Sequence, residues 1–263
     1  MIARAAGIGA AALSVLLIGC SGSSGSPAAT PTPAEAATTR PTTTAALPST
    51  TGPTTTASPS TVSGSAAGVP ETFTAQVWAD NWFSLYVNGT KVGEDSVPIT
   101  TVRSFNSETI SFTASYPLTI AMVSKDYVES DSGLEYIGTA RQQMGDGGFI
   151  AQFTDTTTGK VVATTSSAWK GRVIFRAPLN VDCVTSKDPA TTCRHEILPE
   201  PDGWTAPSFD DSSWVAAREY TAAEVGPKDG YDTVTWAPDA KLIWSDDLKV
   251  DNTILWRTTV PRP

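Results

Sequence analysis

Histidine is almost missing from this 263-residue chain. His195 is its one example, so any Ser-His-Asp or Cys-His mechanism would have to run through it. It stands two residues after Cys193, and no Gly-x-Ser-x-Gly elbow occurs anywhere. Basic residues are also scarce: 18 Lys and Arg face 27 Asp and Glu, for a formal net charge of -9. That balance argues against nucleic acid and against an electrostatic grip on anionic lipid, which both require clustered cations. Cysteine is limited to three residues. The apolar run from Ile8 to Ile18 falls short of the ~20 residues that a spanning helix takes.

That run follows a basic start at Arg4 and ends in Leu17-Ile18-Gly19-Cys20. The stretch resembles the bacterial lipobox, in which small or branched residues precede a cysteine that is cleaved and lipidated. The resemblance implies a signal peptide over 1–19 and a lipid on Cys20. It therefore implies a protein anchored to the cell membrane at its extracytoplasmic face, held there by acyl chains rather than by a spanning helix. The rival reading is an ordinary secreted protein cleaved elsewhere.

From Cys20 to residue 69 the chain is almost wholly Ser, Thr, Pro, Ala and Gly. Such a composition buries too little apolar surface to fold, so a disordered tether is expected. Extended it would reach on the order of 150 Å, and as a random coil roughly 40 Å. Its Thr and Pro content also suits O-glycosylation.

Residues 70–263 are long enough for one large β domain. With Cys20 lipidated, Cys183 and Cys193 remain as an even pair in an oxidising compartment, and a disulfide is predicted. Closing so short a loop contributes about 2.8 kcal/mol by the chain-entropy estimate. A zinc site built on both thiols and His195 lacks a fourth ligand.

Strand signals recur through this part, and no 3.6-residue period survives more than a turn or two. Phe73 to Ala79 alternates, Asp80-Asn81 supplies turn chemistry, and Trp82 to Val87 runs on to Asn88-Gly89, so two successive hairpins are expected. Asn88-Gly89-Thr90 also matches an N-glycosylation acceptor, which the hairpin reading displaces. Further strands are expected at Thr109–Ala114, Leu118–Ser124, Gly148–Thr154, Lys160–Thr165, Val173–Phe175, Leu242–Ser245 and Thr253–Val260, with a tight turn at Asp155–Gly159 and a helical turn near Thr221–Val225. The pattern predicts an all-β sandwich or jelly roll. Three longer irregular stretches, Lys125–Gly147, Pro178–Trp204 and Tyr220–Trp236, are where binding is expected.

Three pieces together resemble a family. Ala79-Asp80-Asn81 with Leu85-Tyr86-Val87-Asn88-Gly89 is similar to the hairpin of galactose-binding-like jelly rolls attached to glycosidases. Gly159-Lys160-Val161-Val162 leading to Trp169-Lys170 looks like a later strand of such domains. Gly203-Trp204, Phe209 to Trp214 and Leu255-Trp256-Arg257 complete the set. The resemblance implies a galactose-binding-like sandwich that binds sugars or braces a neighbouring domain, and no catalytic domain is expected to follow it.

No catalytic residues are assigned. Acid pairs such as Glu94-Asp95, Asp131 with Glu135, and Asp246-Asp247 read as solvated, and Gly145-Asp146-Gly147-Gly148 lacks the Lys-Ser/Thr and helix of a phosphate cradle, so a flexible loop is expected. No cofactor is expected, although acidic and carbonyl oxygens crowd Lys125–Glu135 and leave room for a structural calcium ion. The binding candidates are Trp82, Tyr127, Tyr136, Tyr231 and Trp236, whose rings can stack on sugars, with Asp126, Glu135, Asp229 and Asp232 beside them for hydroxyls. Trp78, Trp169, Trp214, Trp244 and Trp256 are assigned to packing, and Asp210-Asp211 to capping their own loop. The expected partners are carbohydrate, or alternatively another envelope protein. A glycan hydrolase with an unfamiliar acid pair is the remaining alternative.

Overall fold

The computed structural model describes residues 68–263; the signal peptide, Cys20 and nearly all of the tether lie outside the described residues. The strands among them are β1 (Glu71–Asp80), β2 (Trp82–Val87), β3 (Thr90–Glu94), β4 (Ser107–Ala114), β5 (Leu118–Lys125), β6 (Leu134–Glu135), β7 (Gln143–Met144), β8 (Gly148–Asp155), β9 (Val161–Thr164), β10 (Lys170–Arg176), β11 (Glu196–Ile197), β12 (Val215–Ala216), β13 (Arg218–Tyr220), β14 (Leu242–Trp244) and β15 (Asp251–Val260). All pairings are antiparallel.

They form a β-sandwich. One sheet runs β13-β14-β8-β1-β4 with β9 on β8; the other runs β11-β10-β15-β5-β2-β3 with β12 on β10. The two-residue side-chain period sorts each strand between two layers. Phe73, Ala75, Val77 and Ala79 of β1 meet Leu118, Ile120 and Met122 of β5 and Ile254 and Trp256 of β15 in the central core. Alternate residues face outward and are covered there too. Ala121, Val123 and Leu255 lie under Trp204 and Trp214, while Trp78 and Ile150 lie under Val225 and Leu242. Both faces of the strongest strands are thus buried, which is why β5 reads as a continuous apolar run. All five tryptophans assigned to packing are buried.

Asn88-Gly89 turns β2 into β3 with positive φ at both residues, 51° and 84°. The Asn88 side chain is engaged in this corner, donating to the Ser115 carbonyl at 2.9 Å and accepting from the Thr119 amide at 2.7 Å. Asp155–Gly159 joins β8 to β9, and Cys183 is bridged to Cys193. The expected helical turn is α2 (Ala222–Val225), the second helix after α1 (Pro189–Thr192), and it opens with a Thr221/Glu224 capping box.

One expected strand pairing fails. β1 and β2 do not form a hairpin: β1 pairs with β4 and β8, and β2 pairs with β3 and β5 in the opposite sheet. Asp80-Asn81 therefore carries the chain across the sandwich. The Asn81 amide donates to the Lys125 carbonyl at 2.6 Å, and the Asp80–Asn81 peptide is cis. This crossing brings an aspartate from the end of β1 beside the end of β5.

Candidate functional site

Four acids and one lysine meet at that end of the sandwich. Asp80 closes β1, Asp126 follows β5, Glu135 lies on β6 and Asp146 precedes β8; Lys228 arrives from the segment after α2. Asp80 is 0% exposed, Glu135 3% and Asp126 4%. Lys228 Nζ donates to Asp80 Oδ2 at 3.2 Å and to Asp146 Oδ2 at 2.9 Å, and stands 4.8 Å from the centre of the Phe105 ring. Gln143 Nε2 donates to Glu135 Oε2 at 3.1 Å. Among the described residues, no group hydrogen-bonds to Asp80 Oδ1 or Asp126 Oδ1.

Local backbone bonding makes this arrangement rigid. The Asp126 amide donates to the Asn252 carbonyl at 2.9 Å, Asn252 Nδ2 returns a bond to the Asp126 carbonyl at 3.0 Å, and the Tyr127 amide donates to Asn81 Oδ1 at 2.6 Å. The Gly145–Gly148 stretch, expected to be a flexible loop, is packed instead. A Cβ at Gly145 would overlap Asp126 Oδ2, and one at Gly147 would overlap the Trp244 ring. Glycine here serves close approach.

The charges respond to this confinement. Burial pushes the Asp80 carboxyl well above its usual range; Lys228 pulls it back, while Asp146 and Glu135 add to the rise. Burial does the same to Asp126, reinforced by the neighbouring charges of Asp80, Glu135 and Asp146. Burial also raises Glu135, against the Gln143 hydrogen bond. Burial works against the Lys228 ammonium, yet Asp80 and Asp146 more than compensate and its pKa rises. Raised carboxyls around a fixed cation mark a site built for charge rather than for packing.

The sequence candidates separate into several settings. Asp126 and Glu135 join the buried acids. Tyr127 lines an adjacent cleft of about 400 Å³ with Lys125, Asp131, Glu200 and Asn252 and with the apolar Phe175 and Leu198. Trp82 lies half-buried on the outer face of its sheet with Lys125 Nζ 5.2 Å from its ring centre. Tyr136 is half-buried under the Arg141 guanidinium, 4.0 Å from its ring. Tyr231 packs edge-on to Trp78 at 5.7 Å and against Trp236 at 5.9 Å, and Trp236 Nε1 donates to the Tyr231 carbonyl at 3.1 Å, so this pair holds the 226–240 segment onto the sheet. Asp229 is exposed and paired with Arg103 at 3.4 Å, and Asp232 is exposed.

Sequence reasoning missed Asp80, Asp146 and Lys228 as site residues. Asp80 was hidden inside turn chemistry, Asp146 among glycines, and Lys228 in Gly226-Pro227-Lys228 carried no motif. No protein-family model matches the chain, and no curated protein or solved structure is significantly similar to it.

A third buried aspartate behaves differently. Asp95, 5% exposed, accepts from the Val97 amide at 2.8 Å through Oδ1, while Oδ2 has no partner among the described residues. Burial raises its pKa from 3.8 to about 6, the Val97 bond opposing and Glu108 adding to the rise. Because the fold favours the protonated form, its contribution to stability is full below about pH 4 and is lost as pH rises through about 6. Asp95→Asn should therefore be close to neutral at pH 4 and stabilise the domain by about 1–3 kcal/mol at pH 7. Urea midpoints at the two pH values read this directly, and equal effects at both would contradict it.

Proposed function

We propose that this protein is a lipid-anchored, extracytoplasmic binding module that takes up carbohydrate without a catalytic step. The observation that carries the reading is the cleft beside the buried acids. Tyr127 gives it an aromatic side chain, Lys125, Asp131, Glu200 and Asn252 give it donors and acceptors, and Phe175 and Leu198 add apolar lining. A sugar ring presents apolar faces and a rim of hydroxyls, the complement of such a lining. The finer reading of the sandwich as a galactose-binding-like jelly roll draws support from the Asn88-Gly89 hairpin, the buried Trp169 and the Phe209–Trp214 loop packed on the outer face.

A glycan array probed with the full chain and with Tyr127→Ala tests the proposal. Sugar hits should vanish in the variant. Trp236→Ala, which loosens packing against Tyr231, should leave them in place if the domain stays folded. Cys20→Ala should move the protein from the membrane fraction to the soluble one, because loss of the acyl chains removes the only anchor in this reading.

A second reading, docking of another envelope protein, is favoured by one edge. β10 is covered by β11 only at Phe175 and Arg176 and by β12 only at Lys170 and Gly171, and the covering residues Ile197 and Val215 are 59% and 67% exposed. A silent array together with a stoichiometric partner from envelope extract would select that reading over the first.

A further inference from the structure

We propose that Asp80, Asp126 and Asp146 hold a calcium ion that pins the β1–β2 crossing, the end of β5 and the lead into β8 together, in competition with the ammonium of Lys228. Each aspartate brings one carboxylate oxygen within 4.8 Å of the others. Oxygens so gathered need shift by no more than a few tenths of an ångström to share a single ion at Ca–O distances of about 2.3–2.6 Å. The cluster alone would be unremarkable, since exposed acids crowd many surfaces. Two of these three are not exposed: Asp80 and Asp126 are at least nine-tenths buried, Asp146 is half-buried, and Asp80 and Asp126 each have an Oδ1 that no group among the described residues satisfies. A buried carboxylate oxygen without a protein donor carries a desolvation cost, and beside two further carboxylates a cation relieves it more fully than a water or a proton does.

The surroundings favour a bare, oxygen-bound ion. The absence of a side chain at Gly145 lets Asp126 Oδ2 approach the backbone ahead of Asp146. Asn81 and Asn252 spend side-chain atoms fixing the neighbouring backbone, Asn81 Oδ1 taking the Tyr127 amide and Asn252 Nδ2 donating to the Asp126 carbonyl, which positions the aspartates rather than adding ligands. Magnesium keeps several waters and demands short bonds of about 2.0–2.1 Å in octahedral array, which suits a carboxylate-dense buried site less well than calcium does. The ligands come from three separated chain segments, unlike the local Lys125–Glu135 site expected from sequence. Glu129 Oε2 in that stretch accepts from the Ile137 amide at 3.3 Å, and Asp131 faces the cleft.

Lys228 sets the affinity. Its ammonium already contacts Asp80 Oδ2 and Asp146 Oδ2, so calcium enters a site whose charge is part-neutralised. Lys228→Met should tighten calcium binding at least about tenfold, given the strength of charge interactions at such separations. The opposite sign would be expected if Lys228 merely braced the fold.

The experiment is a calcium titration of the full chain after chelator treatment, followed by calorimetry and by thermal unfolding, with no sugar present, so that its outcome is separate from that of the glycan array. At a hundredfold excess over Kd, calcium should raise Tm by about 5–10 °C, and magnesium at the same concentration should do markedly less. Asp80→Asn and Asp126→Asn keep the side-chain shape and should abolish both heat and shift, while Lys228→Met strengthens them. Absence of calcium binding by the wild-type chain at millimolar concentration overturns the proposal whatever the variants do. So does an equal response to magnesium, or calcium binding that survives both Asn variants.

Discussion

Arg257→Met is expected to lower the unfolding free energy by about 3–5 kcal/mol, a large share of what a domain of this size possesses. Arg257 projects from β15 through the outer face of its sheet and is 2% exposed. Its guanidinium donates from Nε to Asp211 Oδ2 at 2.9 Å, from Nη2 to the Ala206 carbonyl at 3.2 Å, and from Nη1 to the Trp204 carbonyl, with the Phe209 ring 5.3 Å away. One side chain thereby fastens the whole 204–214 segment over Ala121, Val123 and Leu255. Methionine fills the space and leaves two carbonyls and half of a carboxylate without donors. Asp211 itself is partly compensated, because Lys170 Nζ holds its Oδ1 at 3.0 Å. Asp211→Asn should therefore cost less, about 1–2 kcal/mol.

Burial works against the Asp211 charge, yet hydrogen bonds from Lys170 and Arg257 hold its carboxyl below the usual range. Its stabilising share is present above about pH 4 and is lost as acid titrates it, so the acid-side decline should be shallower in Arg257→Met. A loss under about 1 kcal/mol in urea unfolding would mean that Trp204, Phe209 and Trp214 hold the segment by packing alone.

The second large effect concerns Trp256. It lies in the central core, stacked on Phe149 at 6.4 Å between centroids, with Nε1 donating to Ser124 Oγ at 2.7 Å. Trp256→Ala should cost about 3–5 kcal/mol. Gly171 on β10 faces the same ring: a Cβ there would lie 2.5 Å from Trp256 Cζ3. Gly171→Ala should therefore cost about 1–3 kcal/mol in the wild type through overpacking. In the Trp256→Ala background the same change should be neutral or stabilise by up to about 1 kcal/mol, since alanine narrows the unfolded ensemble. Additive effects in this double-mutant cycle would show that ring and Cβ do not compete for one space.

What the sequence discloses here is mainly local. Asn88-Gly89, Asp155–Gly159 and the Thr221/Glu224 cap are read from residues that bond to near neighbours, and the alternation of β1 from its own two-residue period. The β1–β2 crossing was not legible, because turn chemistry says where a chain bends and not which sheet receives it. The short strands β11, β12 and β13 owe their form to partners on β10 and β14 rather than to propensity. The site follows the same division. Asp126 and Glu135 stood out among acids near aromatics, whereas Asp80, Asp146 and Lys228 are separated along the chain and meet only through sheet topology. Tyr231 and Trp236 looked like ligand-stacking rings because an aromatic in an irregular stretch gives no sign that a sheet waits beneath it.

β1 starts where Glu71 pairs with Arg262 at 2.9 Å and finishes at Asp80, so its length of about 30 Å separates the place where the two ends of the described domain meet from the aspartates. The domain accordingly has a handle at one end and the buried acids at the other. A sensor surface or fusion partner attached through Pro263 grips the handle and leaves the acidic end facing solution, whereas a label grafted at Gly145 would collide with Asp126.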